Sequence, residues 1–321
     1  MDAEATLAAA RRPLAIGIGG GGDVVGALAT AEACRIYHGA DPVVGGVTWE
    51  RRVIDPLPGP RSVEEIEDGR ELAPGVLAAG PRTRVRESGV VFAEARMAGL
   101  LGGETVLVDV TRGPAAIADG LRRAVTALGC DLLVLVDVGG DALAHGDEPG
   151  LASPLCDALM LAAGAHIARE GAGGRPPAAL PVLGGVFGVG CDGELTPAEV
   201  LERVAELAAA GGLAGIRGLT EPVARRLEEA VEVVPTEASA LGVRAFRGAT
   251  GRIPIRQGRR TVELSALAGA TIHFDVTAAV DSAARLAKAV LDAEDLEHGN
   301  EILRGLGVRT ELDYEREHAR V

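Results

Sequence analysis

The sequence predicts a mixed α/β protein with a doubly wound, mostly parallel sheet of the Rossmann-like kind and helices on both faces. Short β-branched runs alternate along the chain with longer Ala, Leu, Arg and Glu segments that have a helical period. The β-branched runs are apolar throughout, which is typical of strands that helices cover on both faces. A length of 321 residues suits one α/β domain over 1–321 with a small C-terminal β-containing addition.

The predicted elements follow from these runs in chain order. Thr196 and Pro197 mark a helix start, because threonine caps a first turn and proline fits the first helical position. The predicted strands are Leu14–Ile18, Val43–Thr48, Thr105–Val110, Leu132–Val136, Val182–Phe187, Val231–Val234 and Thr271–Val276. The predicted helices are Asp23–Tyr37, Pro114–Leu128, Ser153–Glu170, Pro197–Ala210, Glu221–Val231 and Ala278–Ala293.

Three further segments have compositions that predict surface structure. Arg51–Pro81 contains closely spaced prolines that forbid a central strand, so we expect a surface excursion with room to lie over a pocket. Gly171–Pro177 has the composition of a flexible loop. Residues 236–265 predict an arginine-rich β-hairpin, with arginines at 244, 247, 252, 256, 259 and 260. A charged sheet edge, a subunit contact and an arginine clamp on an acidic ligand all fit this hairpin.

Charge and composition exclude several classes of function. The chain carries 32 basic and 46 acidic residues, a net charge of −14, which argues against nucleic-acid and membrane-surface binding. The absence of a long apolar run and of a signal-peptide pattern predicts a cytoplasmic protein. Lys288 is the single lysine and follows no glycine-rich loop, which excludes Schiff-base and P-loop chemistry. An anionic ligand would have to be held locally, by amides, arginine or a metal.

The first motif is a glycine-rich turn between the first predicted strand and helix, followed by Asp23. Such a turn exposes amides at a helix N-terminus, where a phosphate binds well. Asp23 fits either an N-cap or a contact to a metal-bound phosphate or ligand hydroxyl. Glu50, just past the second strand, would hold a ribose if the ligand were a dinucleotide. The glycines of the turn are Gly19, Gly20, Gly21 and Gly22.

The second motif follows the fourth predicted strand, where acidic residues collect at the carboxyl edge of the sheet. Carboxylates gathered in a cleft share protons, bind a cation such as Mg²⁺ or accept bonds from ribose hydroxyls. Caps and tight turns are the alternative explanation for the same residues. The candidates are Asp137, Gly139, Gly140, Asp141, Glu148 and the helix-opening Ser153, with Asp109 at the end of the preceding strand. We expect Asp137 and Asp141 to hold the metal.

Two weaker motifs follow later strands. Asp192 and Glu194 come after a glycine-rich strand end, and Glu194 has the chemistry of a base or a metal ligand. Glu237 lies in an acidic and hydroxyl-bearing run, TEAS, after another short strand. His145 and His273 are candidate acid–base groups, although His273 lies between apolar residues and also fits a core position.

Several of these segments together resemble a known family. They are IGGGGDVVGAL, TWERRVIDPLPGP, VDVGGDALAHGDEPGLASPLCDALML, GCDGEL, TEAS and RGATGRIPIR. In them the chain resembles an archaeal and bacterial family of domains of unknown function, number 1152, over nearly its whole length. The resemblance implies that the motifs belong to one recurring site. Gly20–Asp23 and Gly139–Asp141 are also similar to the GGGD turn and GGD loop with which phosphofructokinases hold magnesium nucleotide.

Taken together, the motifs favour an enzyme that acts on a nucleotide, nucleoside or sugar phosphate by group transfer or hydrolysis. The glycine turn would hold phosphate, the strand-end aspartates Mg²⁺ or hydroxyls, and Glu148 or Glu194 would be the general base. One alternative is an NAD(P)-dependent oxidoreductase with Glu50 on the ribose. Another is a non-catalytic nucleotide-binding sensor or scaffold. The glycine-rich, apolar C-terminal half suits a homo-oligomer.

Overall fold

The protein is described here by a computed structural model that covers residues 1–172 and 180–319, in which helices surround a central sheet. The predicted loop Gly171–Pro177 lies outside these residues from position 173 onward. The strands are β1 (Pro13–Gly17), β2 (Val43–Val47), β3 (Ile66–Ala73), β4 (Val76–Val85), β5 (Thr105–Val108), β6 (Leu132–Val138), β7 (Val182–Phe187), β8 (Leu213–Gly218), β9 (Gly251–Ile255), β10 (Arg260–Leu264) and β11 (Ala270–Asp275).

The helices lie between and after these strands. They are α1 (Ala3–Ala9), α2 (Asp23–His38), α3 (Ala93–Leu101), α4 (Pro114–Leu128), α5 (Pro154–Ala172), α6 (Pro197–Ala209), α7 (Glu221–Val233), α8 (Glu237–Phe246), α9 (Val276–Asp281), α10 (Arg285–Ala289), α11 (Leu296–Gly305) and α12 (Glu311–Ala319). Helix α6 begins as expected, because the Thr196 side chain accepts a hydrogen bond from the Glu199 N–H.

Nine strands form one sheet in the order β3-β4-β5-β2-β1-β6-β7-β11-β8. The five central strands, β5 to β7 in that order, are parallel, and antiparallel strands extend both edges. In chain order the central strands read 3-2-1-4-5, which is the doubly wound arrangement. The predicted α/β class and mostly parallel sheet are therefore confirmed.

Side chains of β1 alternate between two hydrophobic cores, one on each face of the sheet. Leu14 and Ile16 pack with α4 and α5 on one face, whereas Ala15 packs with α2 and α7 on the other. Burying a leucine or isoleucine side chain contributes about 1.5 to 3 kcal/mol each. The helices that follow β1 and β6 lie on opposite faces, so a crevice opens where the carboxyl ends of these two strands diverge.

Some predicted elements differ in the structure. The predicted strand Val231–Val234 is the end of α7, because Val223, Leu227 and Ala230 form one buried helical stripe that continues to this point. The predicted helix Ala278–Ala293 is split into α9 and α10 by a break at Ser282. The excursion Arg51–Pro81 is a loop only in its first part, since its later residues form β3 and part of β4.

The C-terminal half adds a separate two-stranded sheet. Strands β9 and β10 pair antiparallel, with Arg260 opposite Ile255 and Leu264 opposite Gly251. The expected hairpin is therefore present over Gly251–Leu264, while Glu237–Phe246 within residues 236–265 form α8 instead. Within the described parts of the chain, none of the helices has the length and apolar character that crossing a membrane requires.

Candidate functional site

Five buried aspartates meet at the carboxyl ends of β1, β6 and β7, and we call them the acidic centre. Asp137 lies in β6, and the other four lie in the loops or first helical turns that follow these strands. One carboxylate oxygen from each of Asp23, Asp137 and Asp157 lies within 4.8 Å of the other two. Asp141, Asp192 and Glu194 meet the same distance limit. The members of the acidic centre are Asp23, Asp137, Asp141, Asp157 and Asp192.

Three buried carboxylate oxygens of the acidic centre have no hydrogen-bond partner in the part of the chain that the structure describes. Asp137 Oδ2, Asp157 Oδ1 and Asp192 Oδ1 accept no hydrogen bond from any residue in 1–172 or 180–319. Asp137 and Asp157 are each only 1% exposed. A buried carboxylate oxygen without a donor costs at least 1 to 3 kcal/mol, roughly. The negative charge of the acidic centre is therefore costly unless protons or cations neutralise part of it.

Burial raises the pKa of every member of the acidic centre. The pKa of Asp23 and that of Asp192 rise to about 7, with burial as the main cause and Glu194 adding to it. Burial and neighbouring carboxylates raise the pKa values of Asp137, Asp141 and Asp157 well above their usual range. Without a cation, the aspartates of the centre therefore share protons near neutral pH.

Three arginines border the acidic centre. Burial opposes the charge of the Arg51 guanidinium, but the carboxylates of Asp23 and Glu194 help to raise its pKa. Arg256 and Arg260 come from the β9–β10 hairpin, and their guanidinium nitrogens lie 3.5 and 3.6 Å from Glu194 Oε1. Positive charge thus surrounds the acidic centre locally, in a chain that is acidic as a whole.

Glu194 contacts both the hairpin arginines and the start of α5. Its carboxylate accepts hydrogen bonds from the Ala152 N–H, the Ser153 N–H and the Ser153 hydroxyl, at 2.6 to 2.8 Å. Burial alone would raise the pKa of Glu194, but Arg260, Arg256 and the Ser153 hydroxyl lower it. These contacts keep Glu194 ionised, which suits a fixed negative charge better than the predicted general base.

The glycine turn lies in close contact with the segments that carry Trp49 and Thr236. A side chain at Gly20 would collide with the Trp49 carbonyl oxygen at 2.6 Å, and one at Gly22 with the Thr236 side chain at 2.2 Å. The Gly19 N–H donates to Asp23 Oδ2, and the Gly21 N–H donates to the Trp49 carbonyl, each at 2.9 Å. These two amides are therefore engaged within the chain, and the predicted phosphate contact of the turn stays a prediction.

Gly139 and Gly140, which follow β6, also allow neighbouring segments to approach closely. Both have φ values that favour glycine, 129° and 123°. A side chain at Gly139 would meet the Asp192 carboxylate carbon at 2.3 Å, and one at Gly140 would meet Val200 at 2.6 Å. The predicted GGD loop thus lets Asp192 approach Asp137 and Asp141.

Two of the predicted acids have partners outside the acidic centre. Asp109 accepts hydrogen bonds from the Thr111 N–H at 2.9 Å and from the Thr111 hydroxyl. Glu148 accepts the His145 N–H at 2.8 Å and pairs with Arg203 at 3.2 Å. Although burial opposes it, backbone N–H groups lower the pKa of Glu148. Both residues act as caps of their own loops, which was the alternative explanation for the strand-end acids.

Glu50 and Glu237 also hold backbone groups. Glu50 accepts the Ala93 N–H at the start of α3, and Glu237 accepts the Arg256 N–H at 2.8 Å. Glu237 thereby fixes the turn of the arginine hairpin. Glu50 is 7% exposed and faces the first turn of α3.

The two candidate histidines lie apart from the acidic centre. His145 Nε2 lies 3.1 Å from Glu206 Oε2, and burial lowers the pKa of His145. His273 lies within β11 and borders a cavity of about 240 Å³ beside α1. Burial lowers the pKa of His273 to about 4. The core position predicted for His273 is the one that it occupies.

Sequence reasoning did not single out Asp157, Arg51 or Glu311. Asp157 had a signal, because the Ser153-Pro154 helix start places it in the first turn of α5. Arg51 adjoins Glu50, which was a candidate. Glu311 caps the same turn of α5 by accepting the Leu155 and Cys156 N–H groups at 3.1 and 2.9 Å. Its separation of more than 150 residues from them leaves no local signal.

Comparison with protein families places the chain. Residues 14–319 match the family described as protein of unknown function (DUF1152), and the chain belongs to this family. No curated protein and no solved structure matches the chain. The family resemblance indicated by the motifs is confirmed, whereas the local similarity to phosphofructokinase loops stays a prediction.

Proposed function

We propose that this DUF1152 protein is an enzyme that binds a divalent cation of the Mg²⁺ class and acts on a phosphorylated nucleotide, nucleoside or sugar by group transfer or hydrolysis. The observation that supports it is the pair of buried oxygens Asp137 Oδ2 and Asp157 Oδ1 within the Asp23–Asp137–Asp157 triad, to which none of the described residues donates a hydrogen bond. A hard cation takes such carboxylate oxygens as ligands and removes the repulsion between them.

Asp23, Asp137 and Asp157 come from three separate elements, which favours a centre shaped for an ion over chance capping. The Gly19 N–H orients Asp23 through Oδ2 at 2.9 Å. Glu311 and Glu194 hold the first turn of α5, from which Asp157 projects. Such supporting hydrogen bonds fix the direction of ligands around a metal.

Arg51 supplies the anion contact of this proposal. Burial opposes the charge of its guanidinium, whereas the carboxylates of Asp23 and Asp157 favour it by raising its pKa. Among the described residues, Arg51 makes no ion pair within 4.0 Å. A phosphate oxygen bound to the cation would lie beside Arg51, whose charge stabilises the negative charge of the transition state.

We assign to Asp141 the role of accepting a proton in the reaction. It adjoins the triad, and burial together with Asp157 and Glu194 raises its pKa well above the usual range. A carboxylate with a raised pKa takes up a proton near neutral pH. The charge of a bound cation would favour the ionised form of Asp141. In hydrolysis, water would form the new bond to phosphorus while the bond to the leaving oxygen breaks, and Asp141 would accept a proton from that water and pass it to the leaving oxygen.

The oxidoreductase alternative depends on Glu50 as the ribose ligand, and one oxygen of the buried Glu50 carboxylate accepts the Ala93 N–H. Moving that oxygen to a ribose would leave the amide without an acceptor, at a cost of about 1 to 3 kcal/mol. We therefore favour the cation-dependent reaction.

The test is cation binding by the purified protein after treatment with a chelator. We expect Mg²⁺ and Mn²⁺ to raise the melting temperature and to give a saturable heat of binding, because a ligand that binds the native state stabilises it. Asp137→Asn and Asp157→Asn should each abolish both signals. Asp292→Asn is the matched control, since Asp292 is exposed.

Two outcomes would contradict the proposal. One is a wild-type protein that shows no cation-dependent change in melting temperature or heat. The other is a folded Asp137→Asn and Asp157→Asn pair whose cation affinity equals that of wild type. If the cation does bind, a screen of phosphorylated compounds against the cation-loaded protein would identify the substrate.

A further inference from the structure

We propose that the β9–β10 hairpin forms a second anion subsite, in which Arg256 and Arg260 bind one phosphate of a diphosphate-bearing ligand whose other phosphate lies on the cation of the acidic centre. Glu194 is the internal anion that these two arginines face. This inference rests on the proposed function and adds the substrate class.

The hairpin is anchored instead of being a free charged edge. Ile255, Val262 and Leu264 are at most 5% exposed and pack into the core that also contains α2 and α8. Gly193, next to Glu194, lies against the hairpin, since a Cβ there would be in ordinary van der Waals contact with Val262 and Arg260, at 3.4 and 3.7 Å. The hairpin therefore holds its arginines at a fixed position beside the acidic centre.

Both arginines retain unused hydrogen-bonding capacity. Their contacts to Glu194 Oε1 are 3.5 and 3.6 Å, whereas a well-formed pair of this type has about 2.7 to 2.9 Å. Arg260 Nη1 is a buried nitrogen that donates to no acceptor among the described residues. Since Glu194 already accepts three hydrogen bonds from residues 152 and 153, it satisfies the arginines only partly.

The turn of the hairpin is strained where it presents Arg256. Arg256 and Gln257 have φ values of 51° and 58°, although neither is glycine. A non-glycine residue in this region costs about 1 kcal/mol or more. Glu237 holds the strained turn by accepting the Arg256 N–H at 2.8 Å. The chain thus maintains an unfavourable conformation that directs a guanidinium toward Glu194.

The position of Glu194 indicates the spacing of the ligand's charges. The same carboxylate lies against Arg256 and Arg260, and one of its oxygens lies within 4.8 Å of carboxylate oxygens of Asp141 and Asp192 in the acidic centre. The hairpin arginines therefore adjoin the acidic centre, where the proposed function places the cation-bound phosphate. Two phosphates linked through a single bridging atom have this close spacing, so a diphosphate fits better than two separate anionic groups.

The experiment compares two stable probes, methylenediphosphonate and methylphosphonate, by calorimetric titration of the Mg²⁺-loaded protein. We expect the diphosphonate to bind at least about tenfold more tightly to wild type. Arg256→Gln and Arg260→Gln should each weaken diphosphonate binding by about ten- to a hundredfold, which is the usual effect of losing a charge-assisted hydrogen bond. Both variants should still bind Mg²⁺, because Asp137 and Asp157 are unchanged in them.

Arg259→Gln is the matched control on the same hairpin, because Arg259 is exposed and makes no ion pair among the described residues. Glu194→Gln should have the opposite effect and tighten diphosphonate binding, since it removes the competing internal charge. Equal affinity of wild type for both probes, or unchanged diphosphonate binding in Arg256→Gln and Arg260→Gln, would overturn the inference. If the inference is overturned in this way but Mg²⁺ still binds, the proposed function stands without the hairpin subsite.

Discussion

Asp109 and Asp137 lie at the same carboxyl edge of the sheet, yet their surroundings differ. The Thr111 N–H and hydroxyl donate to Asp109, as does the Val63 N–H. Arg112 also pairs with it, so its charge is satisfied. Asp137 Oδ2 has no donor among the residues described, and Asp23 and Asp192 add negative charge beside it. A strand-end aspartate is thus a cap or a ligand according to what distant segments place against it.

This dependence explains how much of the site could be predicted. Four of the five aspartates of the acidic centre, all except Asp157, follow strands or glycines and were candidates from the sequence. The predicted bases Glu148 and Glu194 were distinguishable only by their partners, Arg203 for one and the hairpin arginines for the other. These contacts join residues 55 to 66 positions apart, beyond what a local pattern encodes.

The buried carboxyl group of Glu50 predicts that the stability of the protein depends on pH. Burial raises the pKa of Glu50 to about 7, so the folded protein retains a proton that the unfolded chain releases above pH 4.5. Stability from this group is therefore present at low pH and is lost as the pH rises to about 7. Glu50→Gln mimics the protonated acid and still accepts the Ala93 N–H.

We therefore expect Glu50→Gln to increase the free energy of unfolding at pH 8 by up to about 3 kcal/mol, with little change at pH 4. The measurement is chemical denaturation of the metal-free protein between pH 4 and pH 8. Glu202→Gln, at an exposed position of α6, is the control and should follow the wild-type curve. Parallel curves for Glu50→Gln and wild type would show that the Glu50 pKa is not raised.

Among the elements, α12 joins two segments that carry site residues. Glu315 accepts hydrogen bonds from the Trp49 indole N–H at 3.2 Å and from the Gly59 N–H at 2.7 Å. Four residues earlier on the same helix, Glu311 caps the first turn of α5. Helix α12 thereby connects the loop that carries Arg51 with the turn that carries Asp157.

Removing Glu315 should loosen the Trp49 loop. Trp49 is the single tryptophan of the chain and is 2% exposed, so its emission reports this loop alone. We expect Glu315→Ala to shift the emission to longer wavelength and to lower the free energy of unfolding by about 1 to 3 kcal/mol, because two buried donors lose their acceptor. Glu317→Ala, which removes an exposed ion pair with Arg309, should change neither by much. Unchanged emission in Glu315→Ala would contradict this role of α12.

Elements differ in how well their sequences predict them. The central strands are apolar runs such as Leu132–Val138, buried on both faces, and the pattern indicates them directly. The edge strands β3 and β8 lack that pattern, because β3 carries charged residues such as Arg70 and Glu71 and β8 is glycine-rich. Pairing with a neighbouring strand, instead of local composition, makes these segments extended.

On the scale of the whole molecule, the acidic centre lies where the two layers of helices meet the sheet. Helix α2 packs on one face and α5 on the other, and both begin beside the same crevice. A cation bound by Asp23, Asp137 and Asp157 would link α2, β6 and α5. Cation binding is therefore expected to couple the two layers, beyond its effect on the three side chains.

Amide hydrogen exchange tests this coupling. We expect Mg²⁺ to slow exchange in segments 19–26, 137–143 and 153–160, because opening either helix start would break the cation site. Segments 66–85 at the far edge of the sheet should exchange at the same rate with and without Mg²⁺. Since the cation spans both layers, protection should reach the starts of α2 and α5 by the same factor, and Asp157→Asn should remove it from both. Protection limited to one helix start would mean that the cation binds one layer only and leaves the layers uncoupled.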